Sequence, residues 1–73
     1  MTTAYQLGKR IVYLRQQRQW SQLDLSIHSN INKNYLSDLE QGRRNPTLKI
    51  LNRLCVAFSI SLQDLFKGID RPL

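Results

Sequence analysis

The chain has 73 residues, which is enough for one small domain and excludes a two-domain enzyme. Hydrophobic residues make up 41% of it and charged residues 22%, a balance typical of a globular protein and not of a disordered tail. Eleven Lys and Arg residues against five Asp and Glu residues give a net charge of +6, which favours an anionic partner such as nucleic acid or an acidic membrane surface.

The first predicted element is a helix. Leu7, Ile11 and Leu14 recur at spacings of four and three residues, which places one apolar stripe on a helix from about Tyr5 to Arg18. No stretch of the chain alternates apolar and polar residues for long enough to predict a strand. We therefore expect an all-α protein.

A short second helix is predicted from about Gln22 to His28. Ser21 followed by Asp24 is a capping-box pattern, in which the serine oxygen accepts a backbone N–H and the carboxylate favours the positive end of the helix. Asn30 lies in the break that follows, and asparagine tolerates the left-handed backbone conformation in which helices often end.

A third helix is predicted from Lys33 to Gln41. Asn32 is its expected N-cap, and Gly42 its expected end. Leu36 and Leu39 are three residues apart and should both point inward, because residues at this spacing share one face of a helix. The opposite face is then left for contact with something else.

The fourth and fifth helices follow the basic loop after Gly42. Thr47 caps a fourth helix that runs through about Phe58, and Ser61 with Asp64 predicts a last short helix ending near Lys67. The fourth helix carries a wider apolar band than one core-facing stripe needs, so we expect part of the band to meet a second copy of the chain. The predicted dimer interface consists of Ile50, Leu54, Phe58, Leu62 and Leu65.

Two short helices joined by a short turn fit a helix-turn-helix, in which the second helix enters the major groove of DNA. Several spaced motifs surround it: Leu7-Gly8-Lys9-Arg10-Ile11, Leu14-Arg15, Trp20-Ser21-Gln22, Leu25, Tyr35-Leu36-Ser37-Asp38-Leu39-Glu40-Gln41-Gly42, Arg44-Asn45-Pro46-Thr47-Leu48, and Ser61-Leu62 with Leu65-Phe66. Over about residues 6 to 66 the chain resembles the Xre/Cro family of bacterial and phage repressors, and within it the small controller proteins of restriction-modification systems.

The resemblance implies a compact five-helix, lambda-repressor-like DNA-binding domain that occupies residues 1–73, with short frayed ends at 1–4 and 69–73. It also implies a sequence-specific transcriptional regulator of double-stranded DNA, acting as a homodimer on a roughly palindromic operator. The main alternative is an antitoxin-like module that neutralises a partner enzyme and binds DNA secondarily.

The outward face of the third helix carries groups that can read bases. Lys33 can donate to guanine, Asn34 can pair with adenine, Ser37 suits either base, and Asp38 can accept from cytosine. The positions of Lys33, Asn34 and Asp38 match those that touch bases in phage repressors of the family. The competing interpretation is a polar face that only contacts water.

A second group of residues is assigned to DNA phosphates, which position a protein without reading sequence. The match of Gln22 in the family contacts a phosphate from the start of the second helix. For Tyr35 two interpretations remain, a hydroxyl contact to phosphate or a purely structural ring. The remaining members of this group are Gln41 at the end of the third helix and Arg43, Arg44 and Asn45 in the loop after it. For the loop, the competing interpretation is a run of charges that only contacts water.

Arg15 and Glu40 each follow an inward-facing leucine, so we predict a partly buried ion pair that ties the first helix to the third. Phage repressors of the family have a matching pair. Its role is structural, and its effect on DNA binding is indirect, through the angle of the third helix.

Leu23 and Ile27 depart from the family pattern, because these positions are usually polar. They are either a local variation in packing or an exposed apolar patch for a protein partner. A polar substitution of both would separate the antitoxin-like alternative from DNA binding.

No catalysis, metal or cofactor is predicted. His28 and Cys55 are far apart along the chain and have no carboxylate pattern to complete a catalytic set, and together they fall short of a zinc site. No apolar run approaches the roughly 18 residues needed to cross a bilayer, and no signal peptide opens the chain. We therefore expect a cytoplasmic protein with no membrane partner.

Overall fold

The computed structural model describes residues 2–69 and contains five α-helices, which confirms the all-α prediction for this part of the chain. Residues 1 and 70–73, which belong to the predicted ends, lie outside the described residues. The helices are α1 (Thr3–Gln17), α2 (Gln22–Ser29), α3 (Lys33–Glu40), α4 (Leu48–Phe58) and α5 (Leu62–Leu65).

Helices α2 to α5 each begin directly after the residue that was predicted to cap them. At α2 both bonds of the capping box are present, from the Asp24 N–H to the Ser21 hydroxyl and from the Ser21 N–H to the Asp24 carboxylate. The Asn32 side chain accepts from the second and third N–H groups of its helix. Thr47 and Ser61 each accept one N–H, at α4 and α5.

The helix ends differ from the predictions by one to three residues at several places. Helix α1 begins earlier, because the Thr2 hydroxyl accepts the N–H of Tyr5, so residues 3 and 4 are helical and not frayed. It also ends before Arg18, since the chain takes a left-handed conformation at Gln19. Ser59 adopts the same left-handed conformation, with a φ of 56°, and ends α4 in the place of a more usual glycine.

The core lies where α1, α2, α3 and α4 meet and is closed by α5. Its buried residues come from every helix and from the turn before α3. The helices therefore stabilise one another through a single shared core. The members with no exposed surface include Ile11, Leu25, Leu36, Leu39, Leu54 and Leu65. Trp20 and Phe66 pack against this cluster.

Helix α1 and helix α3 approach closely at Gly8. A Cβ atom at this position would lie 2.7 Å from the carbonyl oxygen of Leu39, and closer still to that of Glu40. Real Cβ atoms do not come this near to a main-chain oxygen, so the contact between the two helices requires glycine. The same approach brings Arg15 on α1 beside Glu40 on α3.

The predicted dimer interface is wrong for three of its five residues. Leu54, Phe58 and Leu65 are at most 2% exposed and fill the core, so they cannot touch a second chain. The apolar band of α4 is wide because this helix packs on both α2 and α5. Ile50 is half-buried, and Leu62 is 41% exposed.

Candidate nucleic-acid interface

Helix α3 has one buried face and one accessible face. Leu36 and Leu39 have no exposed surface, which fixes the rotation of the helix about its axis. Of the residues predicted to contact DNA, Lys33, Asn34 and Gln41 are exposed, and Ser37 and Asp38 are half-buried. The predicted base-reading set therefore lies at the protein surface.

A hydrogen-bonded chain of three side chains holds α3 against α1 and α2. The Arg15 guanidinium donates to both carboxylate oxygens of Glu40, from Nε at 2.8 Å and from Nη2 at 3.1 Å. It also donates to the Trp20 carbonyl at 2.9 Å. The side chains of the ion pair are only 14% and 5% exposed, as expected for a structural pair.

Gln22 joins this pair, which the sequence did not predict. Its Nε2 donates to Glu40 Oε1 at 2.9 Å, so the start of α2 is fixed to the end of α3. One N–H of the amide is used in this bond, which leaves the other as the group that can donate to a phosphate. No signal in the sequence links residues 22 and 40, which are 18 positions apart.

The chain turns back sharply after α3 and brings its two loop arginines near the helix. Gly42 has a φ of 77°, and the N–H of Arg43 donates to the Asp38 carbonyl at 2.9 Å. Arg44 Nη2 lies 3.4 Å from one carboxylate oxygen of Asp38, and Arg43 Nη1 lies 4.0 Å from the other. The Arg44 guanidinium also lies over the Tyr35 ring, 5.2 Å from its centre.

The remaining phosphate candidates are less constrained. Asn45 is exposed, and the Gln41 amide lies 3.5 Å from the Ser37 hydroxyl, a long hydrogen bond. The Tyr35 ring is half-buried against the core. The ring therefore has a structural role, and the contact of its hydroxyl with DNA stays a prediction.

Three further arginines hold parts of the fold together through main-chain carbonyl groups. Arg18 donates to the Phe58 carbonyl at 2.6 Å, Arg10 to the Asp64 carbonyl at 2.9 Å and Arg53 to the Asn30 carbonyl at 3.4 Å. A main-chain carbonyl leaves no signature in a sequence, so such ties cannot be predicted from it. These three arginines therefore connect separate helices and do not lie along α3.

Two ionisable groups have displaced pKa values. The Ser21 N–H and the Ser21 hydroxyl, in that order, hold the pKa of Asp24 below its usual value. Burial raises the pKa of the Cys55 thiol above its usual value, which favours the protonated form. Neither group lies in a catalytic arrangement.

Residues 2–69 contain no group of three His, Cys, Asp or Glu side chains placed to hold a metal ion. Within the same range, no helix is long and apolar enough to cross a membrane. What this part of the chain offers is a polar surface on α3, flanked by the start of α2 and by a basic loop.

A pair of short helices whose second member presents a polar face, fixed to the first by a buried core, defines a helix-turn-helix domain. The sequence model of the helix-turn-helix family HTH_3 matches residues 11–65. The chain belongs to this helix-turn-helix family.

Individual relatives agree with the family. The chain is 39% identical over 64 residues to the HTH-type transcriptional regulator DdrOP3 of Deinococcus deserti, covering 88% of this chain and 50% of that protein. It is 34% identical over 56 residues to the immunity repressor protein of Bacillus phage phi105, covering 77% and 39%. It thus spans half or less of the length of these two relatives.

Among solved structures, the fold is similar to that of the restriction-modification controller protein C.AhdI from Aeromonas hydrophila. The TM-score is 0.83 at 30% sequence identity, and the match covers 86% of this chain and 96% of C.AhdI. The resemblance to phage repressors and to controller proteins, and the compact five-helix fold, are therefore confirmed.

Proposed function

We propose that this regulator binds a roughly palindromic operator as a homodimer, with α3 of each subunit in the major groove of one half-site. The accessible face of α3 supports this proposal, because it carries two amide or ammonium donors at its exposed start and is held by the Arg15–Glu40–Gln22 chain. A major groove about 12 Å wide admits a helix of this diameter. A controller-type or repressor-type role fits the relatives.

Base reading is assigned to the accessible face of α3. Lys33 and Asn34 are the main readers, because their exposed side chains can donate to guanine and pair with adenine. Ser37 and Asp38 lie one turn further along the helix and are accordingly more enclosed. These roles follow from side-chain chemistry and exposure.

Phosphate contacts flank the base-reading face. Gln22 has one amide N–H left to donate from the start of α2, where the helix dipole also favours an anion. Arg43, Arg44 and Asn45 are exposed in the loop after α3. Tyr35 and Gln41 complete the proposed set of phosphate contacts.

A second copy is proposed to cover the outer face of α4. Leu48 and Val56 are 70% and 69% exposed and lie eight residues apart, on one face of the helix with Asn52 between them. Leu48 and Asn52 also line a groove of about 400 Å³ together with Lys49 and Leu62. This face replaces the three core residues that the sequence assigned to the interface.

Selection of bound duplexes from a random DNA pool tests the proposal. We expect an enriched sequence made of two inverted half-sites whose centres lie about one helical turn, roughly 34–36 Å, apart. Enrichment of no sequence, or of a single half-site at every protein concentration, would contradict it. The selected duplex then serves as the operator in the experiments below.

A protein partner is the second candidate function, and one observation favours it. Leu23 and Ile27 are 54% and 71% exposed, so they form an apolar patch on α2 and are not a variation in core packing. An antitoxin-like role predicts that Leu23→Ser with Ile27→Ser abolishes capture of the partner while operator binding stays intact. A partner captured equally well by this variant would refute the patch as its site.

A further inference from the structure

We propose that Asp38 sets the specificity of this protein by restraining Arg43 and Arg44 on duplexes that offer its carboxylate no base donor. The inference rests on the proposed DNA-binding function and deepens it. Asp38 then acts as a positioning residue for two phosphate-binding arginines, in addition to any base that it contacts itself.

The backbone creates the restraint. The left-handed turn at Gly42 and the hydrogen bond from the Arg43 N–H to the Asp38 carbonyl fold the loop back onto α3. This places one arginine on each oxygen of the Asp38 carboxylate, at 4.0 and 3.4 Å. Stacking on Tyr35 further limits where the Arg44 guanidinium can go.

The other acidic residues described by the structure have different surroundings. Asp24 belongs to the capping box of α2, Glu40 is enclosed by Arg15 and Gln22, and Asp64 lies on α5. Asp38 is thus the acidic residue of the described chain that lies among the proposed DNA contacts. With its two arginines it forms a cluster of net charge +1, where the arginines alone would present +2.

The ion pairs are weak enough to be exchanged on DNA. The side chains of Arg43 and Arg44 are 68% and 51% exposed, and that of Asp38 is 35% exposed, so water screens both contacts. A phosphate can therefore replace the carboxylate at little cost. The carboxylate itself is then left close to the negative backbone of the duplex.

Sequence decides whether that carboxylate finds a new partner. Where a cytosine amino group lies opposite Asp38 in the major groove, it donates to the carboxylate and releases the arginines to the phosphates. Where only base acceptors lie opposite, the carboxylate stays with the arginines and repels the duplex. Wrong sequences are thus penalised, which is how specificity is often achieved.

The test compares Asp38→Asn with the wild-type chain on the selected operator and on a random duplex over a range of salt concentrations. On the random duplex we expect binding about three- to tenfold tighter, since one repulsion and one restraint are removed. The slope of log affinity against log salt should steepen by up to about one unit. The ratio of operator to random affinity should fall by at least about threefold.

Two controls separate the mechanism from a general charge effect. Asp64→Asn makes the same change in net charge on α5 and should leave the ratio unaltered. In an Arg43→Gln, Arg44→Gln background only the direct repulsion by the carboxylate remains, so Asp38→Asn should tighten random-duplex binding by clearly less than it does in the wild-type background. Circular dichroism melts establish that each variant is folded.

Three results would overturn the inference. One is an Asp38→Asn variant whose random-duplex affinity stays within twofold of wild type. Another is a loss of operator affinity alone, which would make Asp38 a base reader only. The third is an equal gain with the arginines removed, which would locate the effect in Asp38 by itself. A wild-type chain that binds no duplex would instead refute the proposed function.

Discussion

Arg15 and Glu40 form an ion pair between α1 and α3 that is largely shielded from water. Their side chains are 14% and 5% exposed, whereas the side chains of the Asp38 pairs are between 35% and 68% exposed. Removal of one partner from a buried pair leaves an unpaired charge, while an exposed pair loses little. The two kinds of ion pair should therefore respond differently to the same substitution.

Glu40→Gln is expected to lower the free energy of unfolding by about 3 kcal/mol, because Arg15 keeps its charge and loses its anion. Asp38→Asn should cost less than about 1 kcal/mol. Urea unfolding followed by circular dichroism measures both. If Glu40→Gln does not fold, the apolar double variant Arg15→Met, Glu40→Leu should recover the fold. Equal losses for the two single variants would contradict a shielded pair.

At the start of α3, Lys33→Ala and Asn34→Ala should each lose about 1–3 kcal/mol of binding free energy on the selected operator. The base preference opposite each residue should relax, because the donor that distinguishes that base is gone. Fluorescence anisotropy with single-base operator variants measures this. Lys67→Ala removes the same charge from a site outside the proposed interface and should leave preference unchanged. Equal losses on operator and random DNA would refute base reading.

The packing of α1 and α2 against α3 sets the orientation of α3. Gly8 lets α1 cross α3 with the main chains of the two helices almost in contact, and this crossing is what brings Arg15 to Glu40. The Gln22 bond adds α2 to the same point. The angle of α3 is therefore set by its two neighbours and not by the turn before it alone.

Gly8→Ala tests this crossing. Alanine in a helix gains about 1 kcal/mol over glycine, but here its Cβ would lie 2.7 Å from the Leu39 carbonyl oxygen, and main chain cannot easily move aside. We expect the overpacking to outweigh the gain and to destabilise the protein by about 1–3 kcal/mol, measured by urea unfolding. A more stable variant would show that the two helices can separate without cost.

The capping box of α2 should make stability depend on pH. The pKa of Asp24 is lowered by the Ser21 N–H and then by its hydroxyl, so the folded state binds this proton less readily than the unfolded state. The stabilisation is fully present above the usual aspartate pKa, near 4, and is lost as pH falls through the lower folded value. Urea midpoints at several pH values should fall more steeply for wild type than for Asp24→Asn. Identical acid slopes would contradict this.

At the scale of the whole molecule, different parts of the surface carry the basic loop and the largest exposed apolar residue of α4. The loop arginines accompany α3, whereas Leu48 of α4 lines the groove beside Lys49 and Leu62. Four other arginines are engaged in ties between helices.

Leu48→Lys is expected to weaken the dimer more than tenfold, since burial of one leucine contributes about 1.5–3 kcal/mol and the interface holds two copies of it. Sedimentation equilibrium measures the shift toward monomer. Ile27→Lys is the matched control, because the two residues are 71% and 70% exposed and receive the same charge. If Ile27→Lys dissociates the dimer and Leu48→Lys does not, the interface lies on α2 and not on α4.

The sequence by itself determined where four of the helices begin, which residues cap them and that Leu36 and Leu39 of α3 are buried. These features depend on interactions between residues two to four positions apart, which a linear pattern records. It also placed Arg15 with Glu40, because each follows an inward-facing leucine. The start of α1 was missed because its cap, Thr2, is not followed three residues later by an acidic residue of the kind that marks the caps Ser21 and Ser61.

Only the tertiary structure decided which apolar residues of α4 are core and which are surface, that Gln22 binds Glu40, and that Asp38 lies between two arginines. The burial of Leu54 and Phe58 depends on how α4 crosses α2 and meets α5. The contacts of Gln22 and Asp38 depend on where separate segments meet in space and on the reversal at Gly42. Helix crossings arise from the packing of whole surfaces, and no local spacing encodes them.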